Sequence, residues 1–160
     1  MANDQLAPVS PIPEHLHAVT PRLVVRDGAA AIEFYGKAFG AVEIGVFTGP
    51  SGGVIHAEVR IGDSVVMITD DVEDGAPARS PDALDGRVSA IMVIYWEDVD
   101  AAWERAVAAG AEVVFPLADQ FYGERGGRLR DPFGQQWMMS QRIEDVSPAE
   151  MERRAASLFE

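Results

Sequence analysis

The chain has 160 residues, 48% of them hydrophobic, no cysteine and a formal net charge of −13. That charge excludes a nucleic-acid binder, whose affinity for phosphates needs a face of Lys and Arg, and the missing cysteines exclude disulfides, thiolate metal ligands and a cysteine nucleophile. No apolar run approaches the ~20 residues of a membrane span, and Met1-Ala2-Asn3-Asp4-Gln5 lacks the basic and apolar regions of a secretory signal, so a cytoplasmic protein is expected.

Residues 1–16 hold three prolines and no periodicity, and read as a flexible N-terminal arm. A first unit is expected over 17–69. It opens on the β-branched run 17-HAVTPRLVV-25, followed by 28-GAAAIEFYGKAFG-40, where Ala31, Phe34, Tyr35 and Ala38 fall at helical spacing and Gly40 marks the stop. Three strand-like runs follow, Val42–Phe47, Val54–Ile61 and Ser64–Thr69, separated by 48-TGPSGG-53 and Gly62-Asp63. Residues 70–87 are acidic and rich in Gly, Pro and Ala, the composition of a mobile linker.

The pattern then restarts over 88–142. Val88–Trp96 is strand-like, 98-DVDAAWERAVAAG-110 is an amphipathic helix, and Glu112–Leu117, Gly127–Arg130 and Gln135–Gln141 supply three further strands. Residues 143–160 close the chain with a helix, in which Ser147, Pro148 and Glu150 form a capping signature. The halves align as hydrophobic strand, aspartate, alanine-rich helix, glycine and strand. Their offset is 71 residues at Asp27/Asp98 and 70 at Gly40/Gly110, and Gly62/Gly134 and Met67/Met139 align at 72. The expected fold is α+β: two tandem βαβββ units, each curling a mixed sheet into half of a cup, plus a C-terminal helix.

The duplicated units, the stretch Phe34–Gly40 and the turn Asp131-Pro132-Phe133-Gly134 together resemble the vicinal oxygen chelate superfamily of glyoxalases, extradiol dioxygenases and bleomycin-resistance proteins. His56-Ala57-Glu58, Ile61–Ser64, 120-QFYGERGGRLRDPFGQQW-137 and 144-EDVSPAEMERR-154 are similar to its PhnB-like branch. The resemblance implies a cup formed within one chain or across a homodimer. In catalytic members that cup holds a divalent metal through His and Glu ligands on the first and last strand of each unit. Carried onto this sequence, those positions are Thr20, Val66, Ile91 and Met138, none of them a usual ligand, so no metal or other cofactor is expected there. A slip of one residue puts Met67, Ile68, Met92 or Met139 there, and these are no better. Gln135 stands where the branch commonly has histidine.

The remaining imidazole and carboxylate candidates in strands are His17, His56 and Glu58. His56 and Glu58, two apart, share one strand face. They either contribute to a divalent-metal site completed from elsewhere or hydrogen-bond one another. His15, in the arm, is assigned no role. Arg125, Arg128 and Arg130 form a local basic cluster, suited to clamping a carboxylate or phosphate or to pairing with Asp131, Glu58 and neighbouring acidic loops. At an offset of 72, His56 and Glu58 correspond to Arg128 and Arg130 on the opposite wall of the cup. Gln136, Met138 and Ser140 are expected to face inward, Trp137 to pack between sheet and helix, and Phe121 and Tyr122 to form an aromatic lid. His56, Glu58, Tyr122, Arg128, Arg130, Gln136 and Met138 are therefore the expected substrate-binding residues. The resemblance implies either a metal-free small-molecule-binding protein that sequesters a drug or metabolite, for which the acidic charge favours a cation, or a metal-dependent lyase, isomerase or transferase of the glyoxalase type.

Overall fold

The computed structural model describes residues 10–72 and 76–158. Its elements run β1 (Arg22–Val25), α1 (Gly28–Phe39), β2 (Val42–Thr48), β3 (Val54–Ile61), β4 (Ser64–Asp70), β5 (Met92–Tyr95), α2 (Val99–Ala109), β6 (Glu112–Asp119), β7 (Glu124–Arg130), β8 (Gln136–Arg142) and α3 (Pro148–Ala156), with one 3-10 turn at Pro81–Leu84. Two four-stranded sheets result, ordered β1-β4-β3-β2 and β5-β8-β7-β6. In each, the first strand lies parallel to the last and the other pairings are antiparallel. The fold is the expected α+β architecture of tandem βαβββ units and a C-terminal helix.

The same local chemistry starts and stops both long helices. Asp27 and Asp98 sit in extended backbone, and their carboxylates accept from the amides of Ala30 and Ala101, satisfying donors that the first turn leaves free. Gly40 and Gly110 end the helices in the left-handed region. Asp70, at the end of β4, accepts from the amides of Gly28 and Val54, tying the entry of α1 to the start of β3.

Both unit-opening strands are shorter than expected. Ordered pairing begins at Arg22 rather than His17, directly after Pro21, whose carbonyl accepts from Met67 but which has no amide to donate. Likewise β5 begins at Met92, leaving residues 88–91 outside the sheet. The linker is tied more closely than its composition suggests. Asp71 accepts from Arg79 Nε and from both the amide and hydroxyl of buried Ser80, and Arg26 reaches Asp82. The 3-10 turn also presses Pro81 against Gly134, where an added Cβ would lie 2.7 Å from the Pro81 Cβ.

The core is shared by the units. Tyr35 and Phe39 on α1 reach Trp137 on β8 and Phe133 in the turn before it, with Phe39 and Trp137 ring centroids 4.8 Å apart. Ala31, Ala38, Ala102 and Ala106 are buried, and these small residues allow α1 and α2 to approach. Arg105 of α2 donates to the Ala38 carbonyl of α1. Fully burying one side chain of the size of Phe39 contributes about 1.5–3 kcal/mol.

At the centre of this junction lies Asp131, 3% exposed. Its carboxylate accepts four hydrogen bonds, from the amides of Phe133 and Gln135, from the Tyr35 hydroxyl and from the Trp137 indole. Burial raises its pKa above the usual carboxylate range, and the four donors oppose that shift. The Asp-Pro-Phe-Gly turn is thus a structural tie between units, and Trp137 packs in the core as expected.

Candidate functional site

The face of each sheet that is turned away from the helices is set by strand alternation and can be read row by row. In the first unit, Arg22, Met67, Glu58 and Gly45 stand side by side across four strands. In the second, the equivalent row is Val93, Met138, Arg128 and Phe115. The helix-facing side is equally clear: Val66 and Ile68 in β4, and Trp137 and Met139 in β8, are buried.

This register corrects the alignment at 72. Met67 corresponds to Met138, and buried Val66 to buried Trp137. Glu58 corresponds to Arg128, Arg60 to Arg130 and His56 to Gly126. The physical reason is the turn. Two residues separate Ile61 from Ser64, whereas the second hairpin spends one residue more on the Asp131-centred turn, so matching the turn glycines displaces the last strands by one position and the strands before the turn by two. Among the expected ligand positions, Val66 therefore faces the core. Thr20 precedes β1 and its hydroxyl bonds the His17 carbonyl, Ile91 precedes β5, and Met138 faces outward. Thr20 and Val66 border a groove of about 920 Å3 between the units, whereas Met138 borders a separate cavity of about 340 Å3 on the second sheet. The larger groove lies towards the helices and contacts neither Glu58 nor Arg128.

Glu58 is the polar centre of the first outward face. His15 Nε2 lies 2.8 Å from one carboxylate oxygen and His56 Nε2 3.2 Å from the other. The His15 bond above all, with help from His56, holds the Glu58 pKa below the usual carboxylate range, against the opposing effect of desolvation. The position of His15 corrects the sequence reading, which gave it no role. The contact spans 43 residues and brings the arm onto the sheet. Among the described residues, no three His, Asp or Glu side chains are grouped to hold a metal ion, and the side chains at the family's ligand positions lack an imidazole–carboxylate donor set.

The arginine cluster separates into distinct roles. Arg125 is bound by Asp100 and Asp119. Arg130 lies 3.5 Å from Glu112, rather than beside Asp131 or Glu58, the partners weighed against anion binding. Arg128 has no carboxylate partner among the described residues, and its guanidinium lies over the Phe115 ring, 5.1 Å from the centroid. Gln136 stands opposite Arg130 on the neighbouring strand, and Ser140 is fully buried, its hydroxyl without a partner among the described residues.

Tyr122 lines the same cavity as Phe115, Arg128 and Met138. Its ring meets Phe121 edge-on, with centroids 5.3 Å apart. The loop carrying both is fixed from behind. Arg154 of α3 donates to the Phe121 carbonyl while also binding Glu144 and Glu150. The amides of Ile143 and Glu144 both reach the Gly123 carbonyl. The C-terminal helix therefore packs on its own chain. The sequence reading missed this link because Arg154 and Phe121 are separated by 33 positions.

Paired mixed sheets with open outward faces and helices packed between them define the class of duplicated βαβββ cup proteins. The profile of the Glyoxalase/Bleomycin resistance protein/Dioxygenase superfamily matches residues 15–139, and the chain belongs to that superfamily. It is 44% identical over 142 residues to an uncharacterised protein of Mycobacterium bovis, covering 88% of this chain and 93% of that one. A Mycobacterium tuberculosis relative, also uncharacterised, matches at the same identity over 88% and 83% of the two chains. Among solved structures, TioX from Micromonospora sp. ML1 superposes with a TM-score of 0.62 at 25% identity, covering 78% of this chain and 97% of TioX. A gene product of Arabidopsis thaliana gives 0.60 at 28% identity, covering 78% and 98%. A PhnB protein of Bacillus cereus gives 0.58 at 20% identity over 78% and 99%, a likeness of fold.

Proposed function

We propose that the chain is a small-molecule-binding protein that uses its outward sheet faces as a cup, without the divalent metal of its catalytic relatives, and sequesters a drug or metabolite. The observation that carries this reading is the pair Met67 and Met138. These residues occupy the outward position of the last strand in each unit, where the family's metal-binding glutamate is expected, and thioethers are poor partners for hard divalent ions. A methionine and aromatic wall with a few polar groups is the ordinary composition of a small-molecule pocket. His56 and Glu58 do not restore a metal centre in this reading, because both oxygens of the carboxylate already meet an imidazole.

The cup closes in a homodimer. Phe47, Val93, Tyr95 and Phe115, all on outward faces, are between 51% and 64% exposed in the single chain. Covering them removes apolar surface from water at roughly 25 cal/mol per Å2. The Arg154-anchored segment after β8 and the fold likeness to the Bacillus cereus protein support placement in the PhnB-like branch, and a cysteine-free composition fits the cytoplasm. Elemental analysis of protein purified without chelator tests the reading: metal well below one equivalent per chain is expected, and stoichiometric Ni, Zn, Mn or Fe overturns it.

A further inference from the structure

The cavity on the second sheet is lined by Arg128 and Gly126, with buried Ser140 directly behind Gly126, and both Arg128 and Ser140 carry a polar group without a partner among the described residues. Arg128 Nε is shielded from water and makes no hydrogen bond among the described residues; Arg130 Nε shares that state, but the Arg130 guanidinium meets Glu112 and Arg125 meets Asp100 and Asp119, whereas Arg128 has no carboxylate. Ser140 is 0% exposed, and its hydroxyl also lacks a partner among the described residues. A buried polar group left unsatisfied is costly, so two on either side of one glycine mark a site that a ligand can complete.

Gly126 opens the way between them. A Cβ there would stand 3.1 Å from Ser140 Oγ and 3.8 Å from the Met138 methyl, so any side chain would close the floor of the cavity over the hydroxyl. The equivalent position of the first unit holds His56, so the second unit lacks the imidazole that the first carries at this point. The walls are flat and polarisable: the Phe115 ring under the guanidinium, the Met138 thioether and the Tyr122 ring. Aromatic rings and sulfur favour an aromatic occupant. A guanidinium held over a ring without a carboxylate of its own has donors available for a two-point contact with a carboxylate.

Resting on the binding reading above, we infer that this cavity takes a planar aromatic ligand bearing a carboxylate or a comparable planar anionic group. The anion meets Arg128, the ring lies between Phe115 and Met138, and a polar edge reaches Ser140 across Gly126. The chain's net charge of −13 does not oppose this choice at contact range. Exposed charges farther away than about 8 Å are largely screened at physiological ionic strength, whereas Arg128 touches the ligand.

Titration with 2-naphthoate, 2-naphthamide and (2-naphthylmethyl)trimethylammonium tests the inference, followed by calorimetry and by amide shifts in two-dimensional NMR. Naphthoate is expected to bind saturably, at least tenfold more tightly than the amide, with shifts centred on Gly126, Arg128 and Ser140. R128Q is expected to weaken naphthoate at least tenfold and R128K less, and S140A to weaken it several-fold. The inference is overturned if the amide or the cation binds as tightly as naphthoate, if folded R128Q keeps full affinity, or if the shifts fall elsewhere. Should R128Q fail to fold, R128K and S140A decide the matter by the same criteria. Binding of the amide or cation at these amides without naphthoate removes the anionic class and leaves the cup standing. Absence of binding by all three removes both.

Discussion

The Tyr35 hydroxyl donates a 2.7 Å hydrogen bond to Oδ2 of Asp131, joining the first helix to the second hairpin across 96 positions. Both partners are buried. Burial, reinforced by the nearby carboxylate, pushes the Tyr35 pKa well above its usual value, so the hydroxyl stays a donor throughout the physiological range. Tyr35→Phe keeps the ring stacking and removes one of four donors to a buried carboxylate. A loss of about 1–3 kcal/mol is expected, read as a lower urea midpoint with an unchanged slope. An unchanged midpoint would mean that the bond contributes nothing to the tie between units.

Gly134 has φ 85° and faces Pro81 at 2.7 Å from an ideal Cβ, whereas Gly40 has φ 64° with nothing within 4 Å. Gly40→Ala is expected to cost about 1 kcal/mol, the backbone effect alone. Gly134→Ala adds a clash with the linker, and a larger thermal shift is expected. Equal shifts for the two variants would show that the linker is not packed against the turn.

The Glu58 carboxyl is held low chiefly by His15. A folded-state pKa below the unfolded value contributes stability that is present above the unfolded pKa and lost as pH falls through the folded one. The dependence therefore falls on the acidic side, below the free glutamate value of about 4.3. Carbon-detected NMR titration is expected to place Glu58 beneath that value and to show it rising in His15→Ala. A wild-type Glu58 titrating at or above the free value would contradict the contact.

Arg154 ties the loop bearing Phe121 and Tyr122 to α3. Its ion pairs with Glu144 and Glu150 lie at the surface within reach of solvent, and Arg154→Ala is expected to lower global stability only slightly. Local opening is expected to change more. Amide exchange at Tyr122 and Gly123 should accelerate several-fold while β7 and β8 stay protected. Exchange that rises equally across the chain, or not at all, would count against a dedicated tether.

Light scattering at micromolar concentration is expected to give twice the 17.3 kDa chain mass. Phe47→Asp places a charge on an exposed apolar outward face and should shift the population to monomer. A monomeric wild type at that concentration would sink the proposed closure.

The tandem units were legible because each helix carries its own punctuation, Asp27 and Gly40 in the first and Asp98 and Gly110 in the second. Strand register was less legible. Turn length is decoupled from the strands it joins, so the shared glycines Gly62 and Gly134 pointed to an alignment that the ladders do not follow. Trp137 was readable as a core residue because a large aromatic alternates with outward-facing neighbours. The state of Arg128 was not readable. Three arginines within six residues look alike in sequence, and only the positions of Asp100, Asp119 and Glu112 distinguish the one left without a carboxylate. His15 was hidden for the same reason: its partner is fixed by the fold, not by spacing.

Glu58 and Arg128 occupy one register position in two copies of the same unit, yet one is an acid flanked by imidazoles and the other a cation on an aromatic ring. The backbone's internal symmetry is thus cancelled by its side chains. If, in the proposed homodimer, a sheet of the first kind closes over one of the second, the enclosed space would have a head and a tail, and a bound molecule would lie in it one way round.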